Sequence, residues 1–285
     1  MKHILFLSLI IPFTISCNRQ EVVKSNSDDL TSFLSYDPFT QINFDIYSKI
    51  IDDTFNIFIS LPKEYKNNDE TYPAVYVLDA NVSFEMVSIL MKLLSNGMDC
   101  KQAIYIGVGY KDIIVMDSLR GRDYTFPHKD DFPESGGGEK FSCFLQNELI
   151  PKIDSTYRTK SKENTILGHS VSGYFVIYYL LSSAIDDRLV FKNFIAGSPF
   201  IGNDQYFIDL EKQLSVKTDS LPVNLFLCSG TIEDTDSMQI VFTNILKQRN
   251  YKGLKLKSII INDFDHMDML IPTWSKGLRY ILSNE

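Results

Sequence analysis

Short, largely apolar segments recur along this chain, and they limit its fold more than any other feature. They run Pro73–Leu78, Ala103–Val108, Asn164–His169, Phe191–Ala196 and Val223–Cys228, with Leu254–Ile261 reading as a further strand. A strand apolar on successive residues buries both faces, so each must be covered from two sides. Stretches of helical spacing lie between them. Val87, Leu90, Met91 and Leu94 mark one face, and Phe141, Phe144, Leu145, Ile150 and Ile153 another. Tyr174–Leu181 reads as helix, Met238, Val241, Phe242, Ile245 and Leu246 mark a later face, and Trp274, Leu278 and Ile281 the last. Strands alternating with helices predict an α/β fold, a mostly parallel sheet with helices on both faces. Ile42–Ile50 and Thr54–Leu61 instead alternate apolar with polar, which suits an antiparallel pair at its N-terminal edge. Lys111–Ser135 reads as a long polar connection closed by Gly136-Gly137-Gly138. No Gly/Pro-rich break divides the chain from residue 39 to residue 285, so one domain is expected there.

The N-terminus carries a different signal. Lys2 and His3 precede a twelve-residue apolar run, Ile4–Ile15, which as a helix would span roughly 18 Å. That is short of a ~30 Å hydrocarbon core, so residues 1–16 read as a signal peptide rather than a span. Ser16-Cys17 resembles the bacterial lipobox, with Thr14 where Leu is usual. The resemblance implies lipidation of Cys17, a polar tether through residue 38, and a membrane partner reached through the lipid. Asn18 after Cys17 points to the outer membrane in a cell with two. Cys100, Cys143 and Cys228 have no metal-knuckle spacing and read as buried small hydrophobes. With 28 basic and 36 acidic residues the formal charge is −8, and no basic stripe exists to neutralise a nucleic acid.

The chemistry centres on Gly168-His169-Ser170-Val171-Ser172-Gly173, placed where an apolar strand runs directly into an apolar helix. A nucleophile elbow needs a serine at that turn, with small residues two before and two after it. Ser170 meets the requirement with Gly168 and Ser172. In the rival register Ser172 would have Tyr174 at its +2 position, colliding with the strand. A nucleophilic serine needs a histidine base held by an acid. Of the four histidines, His3 falls in the signal, His169 lies within the elbow, and His128 precedes the nucleophile. His266 remains, just beyond the strand Leu254–Ile261. Glu233, Asp234 and Asp236 follow the strand Val223–Cys228 as candidate acids, and Glu233 is taken. Arg122-Asp123 reads as an ion pair fixing the long connection, or as a hold on a substrate carboxylate.

These residues carry a resemblance to the esterase family of α/β-hydrolases that includes esterase D-like and enterochelin-esterase-like enzymes. It extends from about Tyr72 to Leu282. Its marks are Tyr72–Ala80, Arg120–Thr125, Ser135–Phe141, Glu148–Pro151, Tyr157–Thr159, the elbow, Ser198-Pro199, Gly230–Glu233 and Asp265-His266. The resemblance implies an α/β-hydrolase fold and a triad of Ser170, His266 and Glu233, the G-x-x-E glutamate. It also implies an oxyanion hole formed by the backbone N–H of Val171 with that of Ala80 or Asn81. No cofactor and no metal are implied. Ser172 and Ala80 depart from the usual glycines, and both are small.

The expected activity is hydrolysis of an acyl ester: a siderophore lactone, an acylated glycan or a small ester. An acyltransferase or a serine peptidase would use the same triad, and a silent binding lipoprotein would keep the fold alone. The absence of a large insertion between strands suggests an open cleft without a separate lid domain.

Overall fold

The computed structural model describes residues 42–96, 100–201 and 205–284. The expected signal segment, the expected lipidation site Cys17 and the expected tether lie outside the described residues. In chain order the strands and main helices are β1 (Ile42–Ser48), β2 (Asp53–Ser60), β3 (Ala74–Val77), α1 (Ala80–Asn96), β4 (Ile104–Gly109), α2 (Ile113–Tyr124), α3 (Gly138–Phe144) and α4 (Ile150–Thr156). There follow β5 (Thr165–His169), α5 (Val171–Ile185), β6 (Asn193–Gly197), α6 (Gln205–Lys217), β7 (Asn224–Gly230), α7 (Thr235–Arg249), β8 (Lys255–Ile261) and α8 (Leu270–Leu282).

The eight strands form one sheet in the order β1-β2-β4-β3-β5-β6-β7-β8. β1 and β2 are antiparallel to each other, as suits the alternation in their sequences, and β2 is antiparallel to β4. The remaining pairs are parallel. Strand alternation divides the core into two layers. Tyr76, Ile166, Phe194, Leu225 and Leu227 face one layer, shared with Phe141, Phe175, Phe207 and Phe242 from the helices. Val75, Val77, Leu167, Ile195 and Phe226 face the other, under Phe84, Val87 and Met91 of α1 and Trp274, Leu278 and Leu282 of α8. Each such side chain, once fully buried, contributes about 1.5–3 kcal/mol. Cys100 and Cys228 are buried as expected, whereas Cys143 is partly exposed.

The sheet order also fixes where a ligand can sit. The crossover from β3 leads to β4 on one side, while β5 lies on the other side of β3. In an open α/β sheet the crevice forms at such a switch point, beyond the carboxyl ends of the strands. Here it opens between the ends of β3 and β5, where Ala80 and Ser170 stand.

Three expectations need correction. Lys111–Ser135 is not a plain connection, because α2 occupies Ile113–Tyr124. Its start was marked by Asp112, whose carboxylate accepts from the N–H groups of Ile114 and Val115 at 3.0 and 2.9 Å. Its buried face is built from Met116, Gly121, Asp123 and Tyr124, a mixture without apolar periodicity. A second helix, α6, lies outside the stretches whose spacing predicts strand or helix. The face of α7 is also rotated from that expected: Gln239, Phe242, Thr243 and Leu246 are buried, while Val241 is exposed. Gln239 is accommodated because it accepts from Ser229 Oγ at 2.7 Å and donates to the Ile259 carbonyl at 2.9 Å.

The helix expected around Phe141–Ile153 is present but interrupted. A π-turn over Leu145–Leu149 joins α3 to α4. Pro151 stands at the start of α4, and a proline has no N–H to continue the regular ladder.

Candidate active site

The elbow forms because β5 passes straight into α5 with one residue between them. That residue, Ser170, has φ 61° and ψ −123°, a region that non-glycine residues occupy only when their surroundings hold them there. Its N–H donates to the Gly197 carbonyl at 2.9 Å, pinning the turn to β6. Gly168 allows the return: a Cβ there would lie 2.5 Å from the carbonyl of Ser172. Ser172 itself is fully buried. Its Oγ donates to the His169 carbonyl at 2.9 Å and accepts the His169 N–H at 3.0 Å. The two serines therefore have different surroundings, since Ser170 lines an open cavity while Ser172 is used up inside the turn.

Glu233 and His266 come together because the loops after β7 and β8 are laced to each other. The Thr231 N–H donates to the Ile261 carbonyl at 3.0 Å and the Ile232 N–H to the Phe264 carbonyl at 3.1 Å. Gly230 permits this approach, for a Cβ there would stand 2.1 Å from the Phe264 carbonyl oxygen. His266 Nδ1 lies 2.7 Å from Glu233 Oε2. The other carboxylate oxygen, Oε1, accepts from the Gly230 N–H and from Ser198 Oγ, each at 2.6 Å. Burial alone would raise the Glu233 carboxyl, but the bonds from His266, Gly230 and Ser198 outweigh it and hold it down at about 2. The glutamate is thus a carboxylate, and it fixes the imidazole with Nδ1 as donor and Nε2 as acceptor.

The competing acids fall elsewhere. Asp234 borders the cavity but sits at the N-terminal boundary of α7, and Asp236 is in that helix's first turn. His128 turns its Nδ1 to the Ser135 carbonyl at 3.0 Å, inside its own loop. His169 packs beside His266 with ring centroids 4.7 Å apart, and its edge meets Trp274 at 6.3 Å. Burial, with the neighbouring His266 adding to it, lowers the His169 imidazole to about 3. A neutral ring there packs against His266 without placing a positive charge beside it.

One contributor had no signal of its own in the sequence. Ser198, the residue after β6, is fully buried with φ 40°, and its N–H donates to the Cys228 carbonyl at 2.7 Å. In the sequence Ser198-Pro199 is a mark of the family resemblance alone, whereas in the structure the Ser198 hydroxyl reaches the candidate acid.

Of the oxyanion candidates, Val171 lines the cavity. Ala80 and Asn81 open α1, whose first N–H groups have no partner within the helix. The Leu78 N–H donates to the Leu167 carbonyl at 3.0 Å, so the turn that follows runs beside the elbow. Asp79, in that turn at φ 50°, is paired with Arg120 at 2.6 Å. The Asn81 amide brackets the backbone of Tyr110, accepting from its N–H and donating to its carbonyl, both at 2.8 Å. Arg122 forms an internal ion pair: it meets Asp123 through two nitrogens at 2.8 and 3.0 Å and Asp53 of β2 at 2.8 Å. It ties α2 to the sheet and is not among the cavity's lining residues.

The cavity holds about 700 Å³ and is lined by Ser170, Val171, Glu233 and His266 among others. One wall is the segment after α2, through Thr125, Lys129, Phe132 and Ser135. Thr125 Oγ1 donates to the Gly121 carbonyl at 2.6 Å, and the Gly138 N–H donates to the Thr125 carbonyl at 3.0 Å, which hold that wall against α2 and α3. No group of metal-ligating side chains occurs among the described residues.

A model of the family described as "Putative esterase" matches residues 48–233. The chain is 28% identical over 251 residues to the ferri-bacillibactin esterase BesA of Bacillus subtilis, covering 80% of this chain and 85% of that protein. It is 28% identical over 142 residues to the apo-salmochelin esterase of Escherichia coli, covering 46% of this chain and 42% of that protein. Among solved structures, the BES protein from Bacillus cereus superposes with a TM-score of 0.76 at 26% identity, over 85% of this chain and 94% of that one. An IroE-like serine hydrolase from Shewanella oneidensis superposes with a TM-score of 0.73 at 22% identity, over 84% and 79%. That last likeness speaks for the shared α/β-hydrolase fold.

Proposed function

The chain belongs to the Putative esterase family as a carboxylic-ester hydrolase, and on that premise we propose that Ser170, His266 and Glu233 are its catalytic triad, acting on a siderophore-type ester. The observation that carries the reading is the 2.7 Å contact between His266 Nδ1 and Glu233 Oε2, in a cavity that Ser170 also lines. His266 Nε2 takes the Ser170 hydroxyl proton as Oγ attacks the ester carbonyl. The oxyanion that forms is received by the N–H of Val171 with that of Ala80 or Asn81, each worth roughly 3 kcal/mol. Collapse of this intermediate breaks the bond to the alcohol, which leaves with the proton from His266. Water then attacks the acyl-Ser170 ester and gives a proton to His266. The acid departs as Ser170 recovers its hydrogen. The substrate class follows the names of the relatives, two of which are siderophore esterases.

A fluorophosphonate probe tests the nucleophile, because an activated serine attacks phosphorus as it does a carbonyl. Mass mapping of the labelled protein is expected to find one adduct, on Ser170. An adduct on Ser172, or none, would remove the proposal.

Lipidation at Cys17 belongs to the same reading of an exported, envelope-bound hydrolase. Two acyl chains bury enough methylenes to hold a protein at a membrane, at about 0.8 kcal/mol for each. Fractionation of cells is expected to find the wild type with membranes and Cys17→Ala released or unprocessed. A Cys17→Ala protein that stays tightly bound would refute lipid anchoring and leave the hydrolase chemistry untouched.

A further inference from the structure

The cavity has a chemical character that the triad does not require. Phe132, Phe200, Ile232 and Met267 all line it, and each is exposed, up to 67% for Met267. Exposed large apolar side chains gathered on one concavity mark a surface that is covered when its ligand arrives. The charge on the same walls is negative. Among the described residues that line the cavity, Glu233, Asp234 and Asp265 are acidic and Lys129 alone is a basic Lys or Arg. Glu233 is engaged by His266, so on the remaining wall the carboxylates of Asp234 and Asp265 outnumber the one ammonium of Lys129. The chain's overall −8 has the same sign.

We propose that this cavity selects uncharged, apolar or aromatic esters and rejects polyanionic ones, with Asp234 and Asp265 as the specificity-determining side chains. The inference rests on the esterase reading and narrows it. A siderophore ester would be taken in its metal-free form. An iron chelate held by several deprotonated oxygens would be repelled on approach and would lose hydration against walls that return little of it. Asp234 and Asp265 facing one anionic substrate group are expected to lower its kcat/KM on the order of tenfold. Asp265 is held in place, since its Oδ1 accepts from the N–H groups of Met267 and Asp268, both at 2.9 Å. An asparagine keeps that oxygen while removing the charge.

The test compares two aryl esters of the same shape, one bearing a remote carboxamide and the other a remote carboxylate, at low and high salt. The carboxamide ester is expected to show a kcat/KM about tenfold higher at low ionic strength. That ratio should shrink as salt screens the field, and fall to about twofold or less in the double variant Asp234→Asn/Asp265→Asn. A merely structural role for the two aspartates would lower both rates together and leave the ratio in place, which would overturn the proposal. So would a carboxylate ester hydrolysed as fast as the carboxamide by the wild type, with the esterase reading intact. If neither ester is cleaved and the fluorophosphonate does not label Ser170, the esterase reading fails and takes this inference with it. A metal-free siderophore lactone and its ferric complex, compared in the same assay, should rank in the same order as the neutral and anionic aryl esters. The reverse order would also overturn the proposal.

Discussion

Ser170→Ala is expected to lower kcat for ester hydrolysis by a factor of about 10⁴ or more while the protein stays folded. The variant removes the one atom that would carry the acyl group, and its backbone keeps the donors that hold the oxyanion. Some activity above the uncatalysed rate should therefore remain, carried by water and the preorganised site. Ser172→Ala supplies the contrast, because the two serines are two residues apart and their hydroxyls meet different surroundings. The Ser172 hydroxyl is bonded to the N–H and the carbonyl of His169 inside a fully buried turn. Its loss strands a buried N–H, which costs about 1–3 kcal/mol of stability, and should spare the chemical step itself. Urea unfolding and steady-state kinetics on both variants check this. A Ser170→Ala enzyme retaining a tenth of wild-type kcat, or a Ser172→Ala enzyme that folds normally and is inert, would move the nucleophile elsewhere.

What could be read in advance follows from how local each determinant is. The elbow was legible because strand, turn and helix are contiguous in Thr165–Ile185, so pattern and motif reinforced each other. His266 was legible by elimination, since four histidines leave few choices. The helix α2 was missed because its buried positions include Gly121 and Asp123, and Asp123 is buried only because Arg122 and the Tyr110 hydroxyl satisfy it. Arg122 lies within α2, but no window of α2's own sequence contains Tyr110, which stands just after β4. The helix α6 is a different case. Phe207, Leu210 and Leu214 repeat on one face, so its signal is local to its own sequence. Ser198 and the character of the cavity depend on residues from separate loops meeting in space. Phe132, Phe200, Ile232 and Met267 look like isolated surface residues until the sheet order brings their loops to one end. Residue patterns report burial along an element; they do not report which loops converge.

Glu233→Gln should be nearly as damaging as loss of the nucleophile, and for a reason of tautomer rather than of shape. The carboxylate now accepts a hydrogen from His266 Nδ1, leaving Nε2 with its lone pair. A glutamine can still accept from Gly230 and Ser198 at the oxygen that replaces Oε1, but its amide nitrogen then faces His266 as a donor. The imidazole must answer with an acceptor at Nδ1, which puts its hydrogen on Nε2 and removes the base from Ser170. A fall in kcat of roughly 10³–10⁴ with little change in KM is expected. His266→Ala should match it, whereas Asp236→Asn, the variant of a rejected acid, should stay within about threefold of wild type. The same substitution has a second readout. Glu233 is held at about 2 in the folded protein, below its ordinary value near 4.3. Between those values the unfolded chain binds the proton and the folded one does not. Its contribution to stability is therefore complete above about pH 5 and is lost as pH falls toward 2. Thermal unfolding from pH 6 down to pH 2.5 should show a shallower acid decline in Glu233→Gln than in the wild type. Parallel declines would mean that the carboxylate is not held by His266, Gly230 and Ser198, and the tautomer argument would go with them.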